Sequence, residues 1–191
     1  MWASIAVLSA DAAAGTVTAQ IKQATTGTLI QTFVFDQGYA PLDLAVIPDQ
    51  SANGAPELAL LGRHAANGSV QVEVRDTRSG ARLTAVAFNP AFAPQRLAVL
   101  PDRNGNGAAE LAVLSRDAGG QLKTELRDAV TGALVRNLWF DHLAPLDLAV
   151  LPDRNGNGCP EVAVPGVPAV GGAQVLIKDT ATQAEVSRLD F

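Results

Sequence analysis

Residues 43–49 read DLAVIPD, and almost the same seven residues return as RLAVLPD at 96–102 and as DLAVLPD at 147–153. The copies begin 53 and then 51 residues apart. Self-similarity at a nearly constant period of this size is the mark of a repeat architecture, and it takes precedence over any local pattern. The chain is therefore expected to be a series of copies of one unit.

A second landmark follows each of these stretches and keeps the same spacing. It is a short apolar run, which begins with Glu in the last three units. In the first unit the equivalent run begins with Ser4, 53 residues before Glu57. The four versions are SIAVL at 4–8, ELALL at 57–61, ELAVL at 110–114 and EVAV at 161–164. The repeat thus covers the whole chain.

A third landmark is a polar turn that ends in Gly27, Gly80 and Gly132, with Gln183 at this place in the last copy. Glycine takes a positive φ without steric cost, as tight hairpins require. We divide the chain into four units, approximately 1–36, 37–89, 90–141 and 142–191, within a single repeat domain, 1–191. Each unit is predicted to hold four short strands, named A to D in chain order.

The strands differ in pattern. Strand A, for example 145–151, and strand B, for example 110–115, are continuous runs of Leu, Ala and Val, which suits burial on both faces. Strand C alternates Val with polar residues at 70–75, which suits a half-exposed strand nearer an edge. Strand D follows the Gly turn, for example at 133–140. No segment shows sustained helical periodicity.

Four-stranded units of about fifty residues predict an all-β fold, a β-propeller of four-stranded antiparallel blades. A β-sandwich of two duplicated halves is the alternative, which fourfold repetition disfavours. The first unit lacks its inner strand, A. Three explanations stay open: the chain is a fragment of a larger propeller, the gap is tolerated, or another chain covers it in a homo-oligomer.

Composition excludes several classes of function. The 191 residues are 48% hydrophobic and 17% charged, which indicates a globular protein with an apolar core. The net charge of −5 gives no electrostatic basis for binding nucleic acid. No apolar run approaches the roughly 18 residues of a membrane-spanning helix. The single cysteine allows no disulfide within the chain.

The A–B loops, which join strand A to strand B, carry the most informative polar residues. They read DQSANGAPE at 49–57, DRNGNGAAE at 102–110 and DRNGNGCPE at 153–161, with side-chain oxygens at positions 1, 3, 5 and 9 and Gly at 6. Calcium takes six to eight oxygen ligands. The candidate ligands are Asp49, Ser51, Asn53, Glu57, Asp102, Asn104, Asn106, Glu110, Asp153, Asn155, Asn157 and Glu161.

The Asn-Gly pairs and the charge of the A–B loops bear on whether these loops bind calcium. Asn-Gly alone is a strong hairpin signal, so the loops could be turns without metal. Each loop carries two carboxylates, and Arg103 and Arg154 offset part of that charge in two of them. Affinity for calcium follows ligand charge, so we predict weak binding.

Residues 153–164 resemble the FG-GAP/VCBS-type repeat, which builds the propeller of integrin α-subunits and occurs in many bacterial surface and secreted proteins. The usual loop there is Asp-x-Asp-x-Asp-Gly-x-x-Asp. Here Asn or Ser replaces the middle acids and Glu replaces the last. The resemblance implies calcium bound by Asp102, Asn104, Asn106, Glu110 and their counterparts. It also implies an extracellular, cell-surface or periplasmic setting and a role in binding or adhesion.

No catalytic constellation stands out, and the chain is predicted not to be an enzyme. His64 and His142 are isolated in loops. An enzyme-associated propeller would need polar groups at the axis, where Asp43, Arg96 and Asp147 are interpreted instead as turn or inter-blade partners. The leading hypothesis is a non-catalytic, calcium-stabilised module that binds a protein or glycan. The main alternative is a self-assembling scaffold with chain-to-chain contacts through the open blade.

Overall fold

The computed structural model describes residues 4–11, 16–140 and 143–191, and in these ranges it contains sixteen β-strands. The first two antiparallel sheets have three and four strands. In chain order their strands are β1 (Ser4–Asp11), β2 (Thr16–Gln23) and β3 (Leu29–Val34), then β4 (Tyr39–Ile47), β5 (Glu57–His64), β6 (Val70–Asp76) and β7 (Arg82–Phe88). We call these two sheets the first and second blade.

The third and fourth blades follow the same plan, with four and five strands. Their strands are β8 (Ala93–Leu100), β9 (Glu110–Arg116), β10 (Leu122–Asp128) and β11 (Leu134–Phe140), then β12 (Leu143–Pro145), β13 (Ala149–Leu151), β14 (Glu161–Pro168), β15 (Gln174–Asp179) and β16 (Glu185–Asp190). The described part of the chain has no helix with the length and hydrophobicity to cross a membrane.

The chain divides into two compact units, Met1–Ala87 and Phe88–Phe191. The first unit contains the first blade and nearly all of the second blade. The second unit contains the third and fourth blades. In the first three blades, neighbours in sequence are neighbours in the sheet, so the connections are hairpins; in the fourth, β12 and β13 both pair with β14.

The sequence repeat is reproduced in the pairing of strands B and C. One apolar residue of strand B stands opposite one cationic residue of strand C in every blade. These pairs are Ile5 with Lys22, Leu58 with Arg75, Leu111 with Arg127 and Val162 with Lys178. Because a slip of one residue would reverse both faces of a strand, the shared register gives all four blades the same pair of faces.

The core of the first unit lies between its two blades. Phe33 and Phe35 of the first blade are buried together with Leu58 and Leu60 of the second. In the second unit the side chains between the blades include Leu138, Phe140, Val162 and Val164. Adjacent blades therefore pack face to face through equivalent residues.

The phenylalanine at the end of strand D lies beneath a cation of the following blade. Arg75 stands over the ring of Phe35 at 5.6 Å, and Lys178 over the ring of Phe140 at 5.7 Å. Inside the second unit, Arg127 stands over Phe88 at 5.7 Å. Phe191, at the same place in the fourth blade, is instead 78% exposed.

Two predictions about burial were wrong. The inner strand β4 is not buried on both faces, and Val46 is 58% exposed. Strand C is not half-exposed, since most residues of β6 and β10 are buried. The reason is that B and C are the central strands of the second, third and fourth blades, whereas A is an edge strand.

The inner strand of the fourth blade also departs from the prediction of one strand at 145–151. It is split into β12 and β13, which both pair with β14. Pro145 ends β12, whereas at the equivalent Pro41 and Pro94 of β4 and β8 the pairing shifts its register and continues.

The packing of the strand-D phenylalanine predicts how two matched substitutions will differ. Phe140→Ala should lower the free energy of unfolding by about 3–5 kcal/mol, because it empties a buried site. Phe191→Ala removes the same side chain from the equivalent but exposed position and should change it by less than about 0.5 kcal/mol. Urea unfolding followed by circular dichroism measures both, and equal losses would contradict the assignment of the two positions.

Candidate functional site

In the second A–B loop the first aspartate shapes the turn. The carboxylate of Asp102 accepts hydrogen bonds from the backbone N–H groups of Asn104, Gly105 and Gly107 at 3.1, 2.7 and 2.7 Å. Gly105 and Gly107 have φ angles of 79° and 85°, a region that favours glycine. Asp153 accepts the equivalent three bonds in the third loop. This carboxylate therefore holds the loop backbone in its sharp turn.

The glutamate at position 9 closes the other end of the loop. Glu110 is fully buried, and both of its carboxylate oxygens accept the N–H of Arg103 at 2.9 Å. Burial raises the pKa of the Glu110 carboxyl; the Arg103 N–H opposes this, and the nearby charges of Asp102 and Asp128 add to it. Glu57 and Glu161 are buried in the same way and accept the N–H of the equivalent residues, Gln50 and Arg154.

The two asparagines point their nitrogen atoms, not their oxygen atoms, away from the loop. The Oδ1 atoms of Asn104 and Asn106 accept the N–H groups of Asn106 and Ala108 at 3.0 and 2.8 Å. The amide orientation is thereby determined, and both Nδ2 atoms donate to Oδ2 of Asp128, at 2.9 and 2.6 Å. Asp128 stands at the end of β10 and is fully buried.

We call this set of two loop side chains and one buried aspartate the amide clasp. In the fourth blade it consists of Asn155, Asn157 and Asp179, with Nδ2 to Oδ2 distances of 3.1 and 2.7 Å. In the second blade Ser51 and Asn53 donate to Asp76. Each clasp ties an A–B loop to strand C of its own blade.

The aspartate of the clasp was not among the predicted site residues. The signal was present in the sequence, because an aspartate stands at this place in the three units that have an A–B loop. The unit without that loop has Gln23 there instead. An acid that occurs only together with the loop is the expected sign of a contact between the two.

The structure thus brings the twelve predicted ligands together loop by loop, but their arrangement does not fit calcium. The amide groups face the buried aspartate as N–H donors, whereas calcium needs oxygen atoms converging on one point. Across the described ranges, no group of three or more His, Cys, Asp or Glu side chains is placed to hold a metal. Calcium binding by these loops stays a prediction from the sequence.

The clasp aspartates are strongly stabilised in their charged form. Burial acts to raise the pKa of Asp179, but hydrogen bonds from Thr182, Asn157 and Asn155 outweigh it and lower the pKa to about 2. In the second blade the Ser79 hydroxyl is the main cause of the lowered pKa of Asp76, also about 2.

His64, Arg96 and Asp147, which the sequence analysis also singled out, have structural partners. The ring of His64 lies 5.0 Å from that of Tyr39, edge to face, and its Nδ1 accepts the N–H of Ala66. His142 lies outside the described residues. Arg96 of the third blade pairs with Asp147 of the fourth at 3.5 Å, which confirms the interpretation of these two residues as inter-blade partners.

A second candidate site is an apolar groove of about 570 Å³ in the first unit. Its lining includes Ala6 and Ile21 of the first blade and Val46 and Leu58 of the second. In the second unit the inner strands of neighbouring blades, β8 and β13, contact each other. Ser4 and Ala6 of β1 belong to this lining, and among the described residues β1 pairs only with β2.

Comparison with known proteins supports the fold alone. No protein-family model matches the chain, and no curated protein matches it. A solved structure described as the Dos1 propeller superposes with a TM-score of 0.62 at 10% identity, over 98% of this chain and 45% of that chain. Kuenenia stuttgartiensis hydrazine synthase superposes with a TM-score of 0.50 at 14% identity, over 96% and 65%.

These likenesses confirm the predicted fold class, an all-β propeller of antiparallel blades. The chain spans less than half of the Dos1 propeller chain and about two thirds of the hydrazine synthase chain. Identities this low carry no statement about ligand or activity.

The amide clasp predicts how an acid introduced into the loop will change the stability of the fold. Asn106→Asp replaces a donor with a second carboxylate facing Asp128, so it should lower the free energy of unfolding by about 2 kcal/mol in chelator. Asn67→Asp is the matched control, because Asn67 uses only its Oδ1, as acceptor of the Ser69 N–H. Thermal unfolding of both variants tests this, and equal melting temperatures would contradict the clasp.

Calcium should distinguish this variant from the natural chain. An ion at 100 times its Kd contributes about 2.7 kcal/mol, roughly 5–10 °C in a chain of this size. We expect a smaller shift than this for the natural chain, whose amides already occupy Asp128, and a larger recovery for Asn106→Asp. A full shift of the natural chain would show that its loops rearrange to bind the ion.

The lowered pKa of Asp179 predicts a pH dependence. Its folded-state value lies below the ordinary 3.8, so its stabilising effect is complete above pH 4 and is lost as the pH falls through about 2. Thr182→Ala removes one donor to this carboxylate and should cost about 1.5 kcal/mol at pH 5, with a difference that shrinks towards pH 2. Thr26→Ala is the control, because Thr26 donates to Gln23, which does not titrate.

Proposed function

We propose that this β-propeller chain is a non-catalytic binding module and that its binding surface is the groove beside β1. One observation carries the proposal. The strands equivalent to β1, which are β5, β9 and β14, each pair with an inner strand of their blade, whereas β1 in the described part of the chain pairs with β2 alone. Ser4 and Ala6 of this strand line the groove.

The chemistry of the groove favours an extended peptide segment as ligand. An unpaired strand edge offers a row of backbone N–H and C=O groups, which an added strand satisfies. The groove walls are largely aliphatic, with the hydroxyls of Ser4 and Thr77 among their few polar groups. Such a lining suits apolar side chains better than the hydroxyl-rich surface of a glycan. We therefore propose a protein ligand.

The inner strands of the other blades show what such a segment looks like. Val46 of β4, which borders the groove, is 58% exposed, and a strand placed beside it would cover it. The resident inner strands read DLAVIPD, RLAVLPD and DLAVLPD. A ligand segment with alternating Leu, Ala and Val is thus the closest match to the groove.

The setting of the module is also part of the proposal. The resemblance of the repeats to the FG-GAP/VCBS type supports an extracellular, cell-surface or periplasmic location and a role in adhesion. The groove lining contains no A–B loop carboxylate, and Gly54 and Pro56 of the first A–B loop contribute to it.

A labelled peptide provides the test. A fluorescent peptide of residues 145–153 should bind the intact chain, and Val46→Lys should weaken its binding at least about tenfold by placing a charge against apolar side chains. Leu134→Lys is the control, because Leu134, on β11 in the other unit, is 51% exposed against 58% for Val46. Fluorescence anisotropy measures the affinity. Equal binding of a scrambled peptide, or no effect of Val46→Lys, would contradict the proposal.

A further inference from the structure

The two faces of a blade play different parts in packing. The face turned towards the preceding blade, which we call the incoming face, carries Leu58, Leu60 and Arg75 in the second blade. The face turned towards the following blade, the outgoing face, carries Phe33 and Phe35 in the first blade. These residues are buried where the two faces meet, and Arg75 covers the ring of Phe35.

The second unit repeats this interface with equivalent residues. Leu138 and Phe140 form the outgoing face of the third blade, and Val162 and Val164 belong to the incoming face of the fourth. All four side chains are buried, and Lys178 covers the ring of Phe140. The interface is therefore a standard element of this repeat, made of two aliphatic residues and a cation on one side and an apolar pair that ends in Phe on the other.

Both halves of this interface also occur without a partner in the structure. The incoming face of the first blade carries Ile5, Val7 and Lys22, and the two aliphatic side chains are 54% and 50% exposed. The outgoing face of the fourth blade ends in Leu189 and Phe191, which are 45% and 78% exposed. Large apolar side chains grouped in this way on a surface mark an interaction site.

We propose that copies of this chain associate head to tail, with the outgoing face of the fourth blade packed on the incoming face of the first blade of the next copy. Phe191 would lie beneath Lys22 as Phe140 lies beneath Lys178, and Leu189 would cover Val7. The occupant is a second copy because each copy carries both complementary halves of an interface that the chain already builds internally. The aromatic ring and the cation match in chemistry as well as in place.

This contact differs in symmetry and in place from the peptide groove. It is heterologous, so it closes into a ring or continues as a filament according to the rotation between copies. Val7 and Ala6 lie on opposite faces of β1, and only Ala6 lines the groove.

The test uses the full chain in sedimentation velocity over a range of about 1–500 μM, where contacts of moderate affinity are populated. The natural chain should sediment as a larger species as concentration rises. Val7→Asp and Phe191→Asp should each weaken association by roughly 30-fold, as expected for central interface residues. Leu134→Asp, an exposed apolar residue outside both faces, should leave association unchanged.

Mixing the two variants gives the decisive result. Val7→Asp retains a sound outgoing face and Phe191→Asp a sound incoming face, so an equimolar mixture should form a heterodimer although each alone is monomeric. A natural chain that is monomeric throughout, a loss caused equally by Leu134→Asp, or a mixture that stays monomeric would each overturn the proposal.

Two controls separate this result from other failures. Circular dichroism verifies that each variant is folded, which is expected because the altered side chains are exposed. Peptide binding is then measured on Val7→Asp, whose groove lining is intact. Retained peptide binding without association of the natural chain rejects only the head-to-tail contact, and the reverse outcome rejects only the groove.

Discussion

A small antiparallel sheet cannot bury its own apolar faces, and the architecture of this protein follows from that constraint. Each blade has aliphatic residues on both faces of its central strands, so it needs a neighbour on each side. Leu58 and Leu60 meet Phe33 and Phe35 in the first unit, and Val162 and Val164 meet Leu138 and Phe140 in the second. Stability in such repeats is largely a sum of these nearest-neighbour contacts.

The polar residues are arranged so that this packing is not disturbed. The buried charges of the blade surfaces are paired, as with Lys123, whose ammonium group lies 2.6 Å from Glu125 and 4.2 Å from the ring of Phe92. The clasp aspartates are buried but receive N–H and O–H donors from two different segments, which offsets the cost of removing a carboxylate from water. Loop, strand C and turn are thereby joined into one hydrogen-bonded network in each complete blade.

The repeat made most of the fold predictable, since spacing and turn glycines indicated the strands and their order within each blade. Burial was predicted less well, because a run such as LAVL reads alike on an edge strand and a central one. The A–B loops were located correctly, but their chemistry depends on which way Asn104 and Asn106 turn. That orientation is set by backbone N–H groups of the loop and by Asp128, a partner 22 residues beyond Asn106.

Both proposed binding surfaces follow from the need of each blade to bury its apolar faces against a neighbour. Each blade buries its apolar side chains only against its neighbours. A described blade that lacks a neighbour on one side therefore exposes one half of the interface, as at Ile5 of the first blade and Phe191 of the fourth. The first blade, in which β1 pairs with β2 alone among the described residues, presents a different surface, the edge of β1 with the groove beside it. Face and edge differ in chemistry: side-chain packing serves the first, and backbone hydrogen bonding serves the second. One chain can therefore present two kinds of binding surface.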